Sequence, residues 1–520
     1  MSAFTPPAVV TIDAGSGSCR ALVFDAAGEL LGLAQREWNY RPVPDAPGGF
    51  DFDPVDGWEQ VSACVREALQ TARVSPGDVA AVTAASMREG FVLYDENDQE
   101  IWACPNIDAR AGVEAAEMIA EGLAQRQYER GGDWTSITAP ARLRWIRRHQ
   151  PEILDRARRM TMLGDWVIAR LSGVFGTDPS LGSSSNLFDL ATRTWSAESC
   201  QELNLPDLLP PVYEAGTVIG GVTPEAAAAT GLLEGTAVVV GGADTQLALL
   251  AAGLTEGLRF ATVGGTFWQT AAVTNEPVID PRIRLRTLCH VLPGTWMIEG
   301  IGFLHGFSTR WVRDGLLRAI DPGIGPEEGY EVLERLAAEM PAGSNGVMYL
   351  SSNVMEGRRW RHGPPSLIGL DILQPERTGL GAIFRAVEEG AAYVARGHYE
   401  ILAEVCGAAP DEIRFVGGPS RGELWPQVLA DVLGIPVDVP PVREAPSFGA
   451  ALCALVGAGV FASLPEAVAA TSKESARFDP DPATHAIYDE TYARWRTLND
   501  HLLSAAESGV VPFLWKGAGA

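Results

Sequence analysis

A pattern used twice constrains this chain most: a strand, a turn of small residues, a second strand, then β–α units. In the first half, the apolar run 8–13 enters a glycine turn, 20–25 follows, and 29–36 completes a three-strand meander. Period-2 alternation bounded by Gly and Asp predicts hairpins there. Helical periodicity covers 55–72. A β-rich run, 79–85, ends at Ser86-Met87-Arg88-Glu89-Gly90, and 91–94 with 100–103 predicts another hairpin. In the second half, 236–240 reads as a buried strand turning into the apolar helix 245–252. Strands 258–263 and 267–273 flank Gly264-Gly265-Thr266, and 413–416 leads through Gly417-Gly418 to helix 423–433 and strand 437–439. No repeat of roughly 20–50 residues is visible. The expected organisation is two α/β units, 1–253 and 254–520, the second ending in a polar helical tail from about residue 480.

Charge and lysine usage exclude several functions. The 40 basic and 66 acidic residues give a net charge of −26, so the surface repels phosphate backbones and anionic lipid. No nucleic-acid or membrane partner is expected. Only two lysines occur, Lys473 and Lys516, and neither follows a glycine. A P-loop needs a lysine opening its helix, and a protein kinase needs one on a strand beside the phosphates. Both classes are excluded.

The seven cysteines are scattered and form no C-x-x-C, which reads as reduced thiols in a cytoplasmic protein. The histidines show no metal-ligand spacing. The first ten residues lack the basic and apolar regions of a signal peptide. The uncharged stretch 445–464 is about long enough to span a bilayer, but its glycines, alanines and Pro446 read as a buried helix.

Six clusters carry chemistry. Asp13-Ala14-Gly15-Ser16-Gly17-Ser18-Cys19-Arg20 closes a strand; its glycines and serines suit anionic oxygens, and Asp13 is placed to hold Mg²⁺. Arg20 replaces the third glycine of a Rossmann fingerprint, so that reading fails. Gly264-Gly265-Thr266 is the matching turn in the other half. Asp244 ends a buried strand, where it serves as a general base or as a helix N-cap. Arg88-Glu89 and Asn106-Ile107-Asp108-Ala109-Arg110 offer forked donors and acceptors to a hydroxylated ligand, or form surface ion pairs. Gly417-Gly418-Pro419 suits a nucleotide lying on backbone, or simple close packing.

In this order, over about residues 9–461, the six clusters resemble the FGGY family of carbohydrate kinases. Arg385-Ala386-Val387-Glu388-Glu389-Gly390 resembles that family's helix motif, and Arg142 stands where the family usually has lysine. Pro419 replaces a glycine and removes a donor. The resemblance implies two actin-like, ribonuclease-H-like domains flanking an ATP cleft, with ATP and Mg²⁺ as cofactors and a small-molecule acceptor, and it admits a homodimer. By position, Asp13 would handle Mg²⁺. Gly15, Ser16, Gly17, Ser18, Arg20, Gly265 and Thr266 would hold phosphates, and Gly417 and Gly418 would lie by the adenosine. Arg88, Glu89, Asn106, Asp108, Arg110, Gln246 and Trp268 would line the acceptor site, and Asp244 would be the base. The stretches 86–90, 101–110 and 264–269 are most similar to members acting on open-chain 4,5-dihydroxypentane-2,3-dione. The alternatives are xylulose, ribulose, glycerol or erythritol as acceptor, or an actin-like ATPase without an acceptor.

Overall fold

The computed structural model describes residues 5–517. The reading of the N-terminus as leaderless rests partly on residues 1–4, which lie outside the described residues.

Two large sheets carry the molecule. The first is built from β1 (Ala8–Ala14), β2 (Ser18–Phe24), β3 (Leu30–Glu37), β4 (Val79–Ser86), β8 (Val218–Gly221) and β9 (Ala237–Ala243), in the order β8-β9-β4-β1-β2-β3. A small sheet of β5 (Phe91–Tyr94), β6 (Glu100–Cys104) and β7 (Arg159–Met162) stands beside it. The second large sheet is built from β10 (Arg259–Gly264), β11 (Trp268–Thr274), β12 (Arg286–Cys289), β13 (Trp296–Gly302), β14 (Ile413–Gly417), β15 (Val437–Val439) and β16 (Ala476–Phe478), in the order β12-β13-β11-β10-β14-β15-β16.

The two sheets share one plan. β1 pairs antiparallel with β2 and parallel with β4; β10 pairs antiparallel with β11 and parallel with β14. Each sheet continues through one more parallel strand, β9 or β15, and ends on an antiparallel edge, β8 or β16. The turns that close β1–β2 and β10–β11 are therefore equivalent, which is the physical content of the repeated pattern.

Capping explains the helix limits. α1 (Pro54–Ala72) starts where the Asp53 carboxylate accepts the Val55 and Asp56 amides, with proline at the first turn, and it stops at the left-handed Arg73. α2 (Ala139–His149) likewise opens on a proline-bearing turn. The remaining helices used below are α3 (Asp244–Ala251), α4 (Leu380–Cys406), α5 (Leu424–Leu433), α6 (Ala445–Gly457) and α7 (Pro482–Glu507).

The stretch 445–464 ends its helix at Gly457, and no helix among the described residues is long and apolar enough to cross a membrane. The segment 512–515 breaks the polar tail because Trp515–Lys516 pairs with Arg361–His362, and the Trp515 ring packs on Phe303 and Trp360.

Two helices exchange partners between the sheets. α3 follows β9 of the first sheet, yet Ala248, Leu249 and Ala251 pack with Ala261, Val263 and Ala271 of the second. α6 follows β15 of the second sheet, yet Ala451, Ala454 and Leu455 pack on Val9, Leu22 and Val239 of the first. The two helices meet where a Cβ on Gly449 would lie 2.0 Å from the Leu247 carbonyl oxygen. Gly449→Ala must therefore push the helices apart. Overpacking of this kind costs about 1–3 kcal/mol, so calorimetry should show a Tm several degrees below wild type. Gly112→Ala, whose Cβ meets nothing within 4 Å, should leave it unchanged.

Candidate active site between the two sheets

The β1–β2 turn is braced from outside. The Gly15 amide donates to the Ser18 carbonyl at 3.0 Å. The Trp38 indole donates to the Gly15 carbonyl and the Tyr40 hydroxyl to the Ser16 carbonyl, each at 2.6 Å, and Asn106 Nδ2 donates to Ser16 Oγ at 2.8 Å. With these carbonyls held, Gly17 stays open: a Cβ there would meet nothing within 4 Å. Asp13 is buried and pairs with Arg20, its cross-strand neighbour. Arg20 also donates to Glu444 at 2.7 Å, and Glu444 accepts from Arg421 at 2.9 Å. The Asp13 charge raises the pKa of the Arg20 guanidinium, so the cation is fixed.

The opposite turn meets the end of β14. Gly264 and Gly417 are register partners, and Gly417 has φ +107°, with its Cβ position 2.0 Å from the Gly264 carbonyl oxygen. Only glycine fits there. The Gly265 amide donates to Phe267, and Thr266 accepts from Gly306. A Cβ on Gly418 would meet nothing within 4 Å, so the backbone is open to a ligand. Pro419 sits in the first turn of the short helix Gly418–Arg421, where no intrahelical partner awaits its missing amide.

Arg88 and Glu89 leave β4 in a tight turn, with Glu89 at φ +64°. They are 6% and 4% exposed, so the surface-pair reading of them fails. Arg142 holds this turn. Its guanidinium donates to the carbonyls of Glu89 (2.7 Å), Asn106 (2.9 Å) and Asp108 (2.7 Å), tying the 86–90 and 105–110 segments to α2. The arginine in place of the family's lysine thus supplies a fork that a point charge does not.

Asp244 opens α3. It is half-buried, and its Oδ1 accepts the Thr245 amide at 2.6 Å. Ala243, not Asp244, is the N-cap. Burial raises the Asp244 pKa to about 6; Arg88 pulls it down, while Asp13 and Glu89 push it up. Those influences place Asp13, Arg88, Glu89 and Asp244 in one electrostatic neighbourhood.

Several expected acceptor residues are engaged elsewhere. Arg110 donates to Asp108 (2.8 Å), Asp51 (2.7 Å) and the Phe50 carbonyl, and it stacks on Trp102 and Trp145. Asp108 also accepts the Phe50 amide at 3.0 Å. This pair braces the loop before α1, because both charges are buried and find partners there. Trp268 is 1% exposed and packs on Phe415, Trp425 and His305 in the core of the second sheet. Gln246 donates to the Cys289 carbonyl at 3.3 Å and leaves its buried Oε1 without a partner.

Three charged residues were missed from sequence. Arg286 and Glu299 are register partners on β12 and β13. Arg286 donates to Glu89 and Arg88 to Glu299, each at 2.5 Å, and Asp133 lies 3.4 Å from Arg286. The available signal was a lone glutamate inside the apolar run Trp296–Gly302.

No group of three or more ligating side chains among the described residues could hold a metal. Asp13 and Asp244 nevertheless offer hard carboxylate oxygens of the kind Mg²⁺ prefers.

The twin-sheet architecture, two glycine turns and a shielded carboxylate define a two-lobed phosphotransferase class. Residues 8–251 match the N-terminal domain, and 260–458 the C-terminal domain, of the FGGY family of carbohydrate kinases. The chain belongs to that family and is an ATP-dependent phosphotransferase. Proteins named autoinducer-2 kinase from Salmonella paratyphi B and Yersinia enterocolitica are each 39% identical to it. The match covers 98% of this chain in both cases, and 97% and 98% of those proteins respectively. The crystal structure of xylulose kinase from Rhodospirillum rubrum superposes with a TM-score of 0.80 at 27% identity, covering 96% of this chain and 99% of that one.

Gly417→Ala places a Cβ against the Gly264 carbonyl, in a backbone region alanine rarely adopts. The affinity for a fluorescent ATP analogue should fall at least about tenfold, a conversion of roughly 1.4 kcal/mol, against little change for Gly112→Ala, whose Cβ meets nothing within 4 Å.

Proposed function

We propose that this protein phosphorylates the terminal hydroxyl of open-chain 4,5-dihydroxypentane-2,3-dione, with MgATP as donor, yielding phospho-autoinducer-2. The observation that carries the phosphoryl-transfer site is Asp244 at the start of α3, half-buried after β9 with its Oδ1 accepting the Thr245 amide, where burial pushes its pKa up to about 6. Full-length similarity to the autoinducer-2 kinases supports the choice of acceptor.

Phosphoryl transfer needs positioning, charge neutralisation and a group that takes the hydroxyl proton. In this reading Asp244 accepts that proton, and no covalent enzyme intermediate forms. Asp13, with Arg20 fixed against it, would hold the Mg²⁺ of the nucleotide, which would neutralise phosphate charge during transfer. Gly15 to Ser18 and Gly265-Thr266 hold the phosphates, and Gly417-Gly418 lie along the adenosine. Arg88, Glu89 and Asn106 meet the acceptor. The division of labour runs between 1–253 and 254–520, in the cytoplasm, where ATP is supplied.

A base whose pKa is about 6 is ionised above that pH, so kcat/KM should rise through pH 6 and then level. Asp244→Asn should retain nucleotide binding, lose about 10²–10⁴-fold in kcat and abolish that limb. A loss under threefold removes the base assignment. Comparing kcat/KM on the dione with that on xylulose, ribulose and glycerol tests the acceptor. A tenfold preference for any of those replaces the dione and leaves the kinase intact.

A further inference from the structure

We propose that Arg286 and Glu299 complete the acceptor site from the second sheet, which makes the site selective for uncharged acceptors carrying oxygens on adjacent carbons. This deepens the reading of Arg88, Glu89 and Asp244 as the reacting end and rests on it.

Glu299 is fully buried, and both of its salt-bridge contacts fall on one oxygen. Oε1 meets Arg88 Nη1 at 2.5 Å and Arg286 Nε at 3.3 Å, while Oε2 has no hydrogen-bond partner. Arg286 is 1% exposed, and its Nε makes no hydrogen bond of good geometry. Asp133 is 4% exposed, with Oδ2 likewise unpartnered. Glu299 Oε2 is unpaired, whereas Arg286 Nε and Asp133 Oδ2 make only ion-pair contacts, at 3.3 and 3.4 Å; an unpaired buried polar atom costs about 1–3 kcal/mol, and these three atoms lie along one run of ion pairs, Glu299–Arg286–Asp133. A bound acceptor satisfies two of them: Glu299 Oε2 accepts a hydrogen bond from a hydroxyl, and Arg286 Nε donates to a carbonyl or hydrate oxygen.

The charge count sets the substrate class. Around two guanidiniums stand four carboxyl groups, Glu89, Glu299, Asp133 and Asp244. Carboxylates therefore outnumber cations before any ligand enters, and an anionic acceptor meets like charge. Burial also lifts the Asp133 pKa to about 6, so this group gains proton occupancy and donor capacity below that pH.

The test uses whichever neutral acceptor the wild-type enzyme turns over best, so that failure of the dione assignment leaves it intact. Glu299→Gln and Arg286→Lys should each raise the acceptor KM at least tenfold with the ATP KM within twofold. Gluconate, an anionic sugar acid, should remain at least 100-fold poorer in kcat/KM than that acceptor. A folded variant of either residue with an unchanged acceptor KM overturns the proposal, as does an equal rise in both KM values or efficient gluconate turnover. Should both variants fail to fold, hydrogen exchange on the wild type decides. Acceptor added without nucleotide should protect both 86–90 and 286–302; protection confined to 86–90 overturns it.

Discussion

The close approach of α3 and α6 at Gly449 and Leu247 is the contact on which the rest depends. Each helix springs from one sheet and packs on the other, so their separation sets how the two sheets face each other. Their first residues also lie at the site. Asp244 begins α3, and Glu444, which joins Arg20 to Arg421, immediately precedes α6. A residue with a Cβ at 449 would displace the carboxylate proposed to take the proton and Glu444, which joins Arg20 to Arg421. Packing and chemistry share one constraint here.

The buried charges follow a different logic. Pairing Arg88 with Glu299, and Arg286 with Glu89, across the two sheets gains little net stability, because desolvation offsets the Coulomb attraction. Removing one partner would still cost about 3–5 kcal/mol by leaving an uncompensated charge. Such a network fixes geometry more than it deepens the folded well. The same burial lifts Asp244 and Asp133 toward neutrality, so the network that orients polar groups also sets the proton affinity of the proposed base.

Much of this was legible in the sequence where the signal is local. Glycine turns between apolar strands marked β1–β2 and β10–β11, because period and turn chemistry act over a few residues. Helical periodicity over 55–72 was visible, and the structure starts that helix one residue earlier, at Pro54. What was not legible depends on long-range register. Nothing near Arg286 or Glu299 announces that β12 and β13 carry them to Glu89 and Arg88. Asp108 and Arg110 looked like ligand contacts because a buried brace and a binding pair use the same side chains; only the Phe50 and Asp51 contacts separate them. Trp268 sits beside a glycine turn, but strand alternation sends its ring into the second core together with Ala272. Arg142 read only as a replacement for the family's lysine, yet its fork reaches three carbonyls, a role visible only once two distant loops lie over α2.

A kinase of this design must keep water from the phosphate while admitting a small hydroxyl compound. The cross-sheet ion pairs bear on this directly. Separating the two sheets would hydrate Arg88, Glu299, Glu89 and Arg286 and would recover much of the desolvation cost of pairing them. Separated and packed arrangements would then differ by a small net free energy built from large opposing terms. A modest gain from satisfying Glu299 Oε2 and Arg286 Nε is enough to shift that balance, since roughly 1.4 kcal/mol changes a population ratio tenfold. The unpartnered Glu299 Oε2 would in that case couple acceptor binding to the packing of the sheets. A network fully satisfied without substrate would close on ATP alone and favour hydrolysis over transfer.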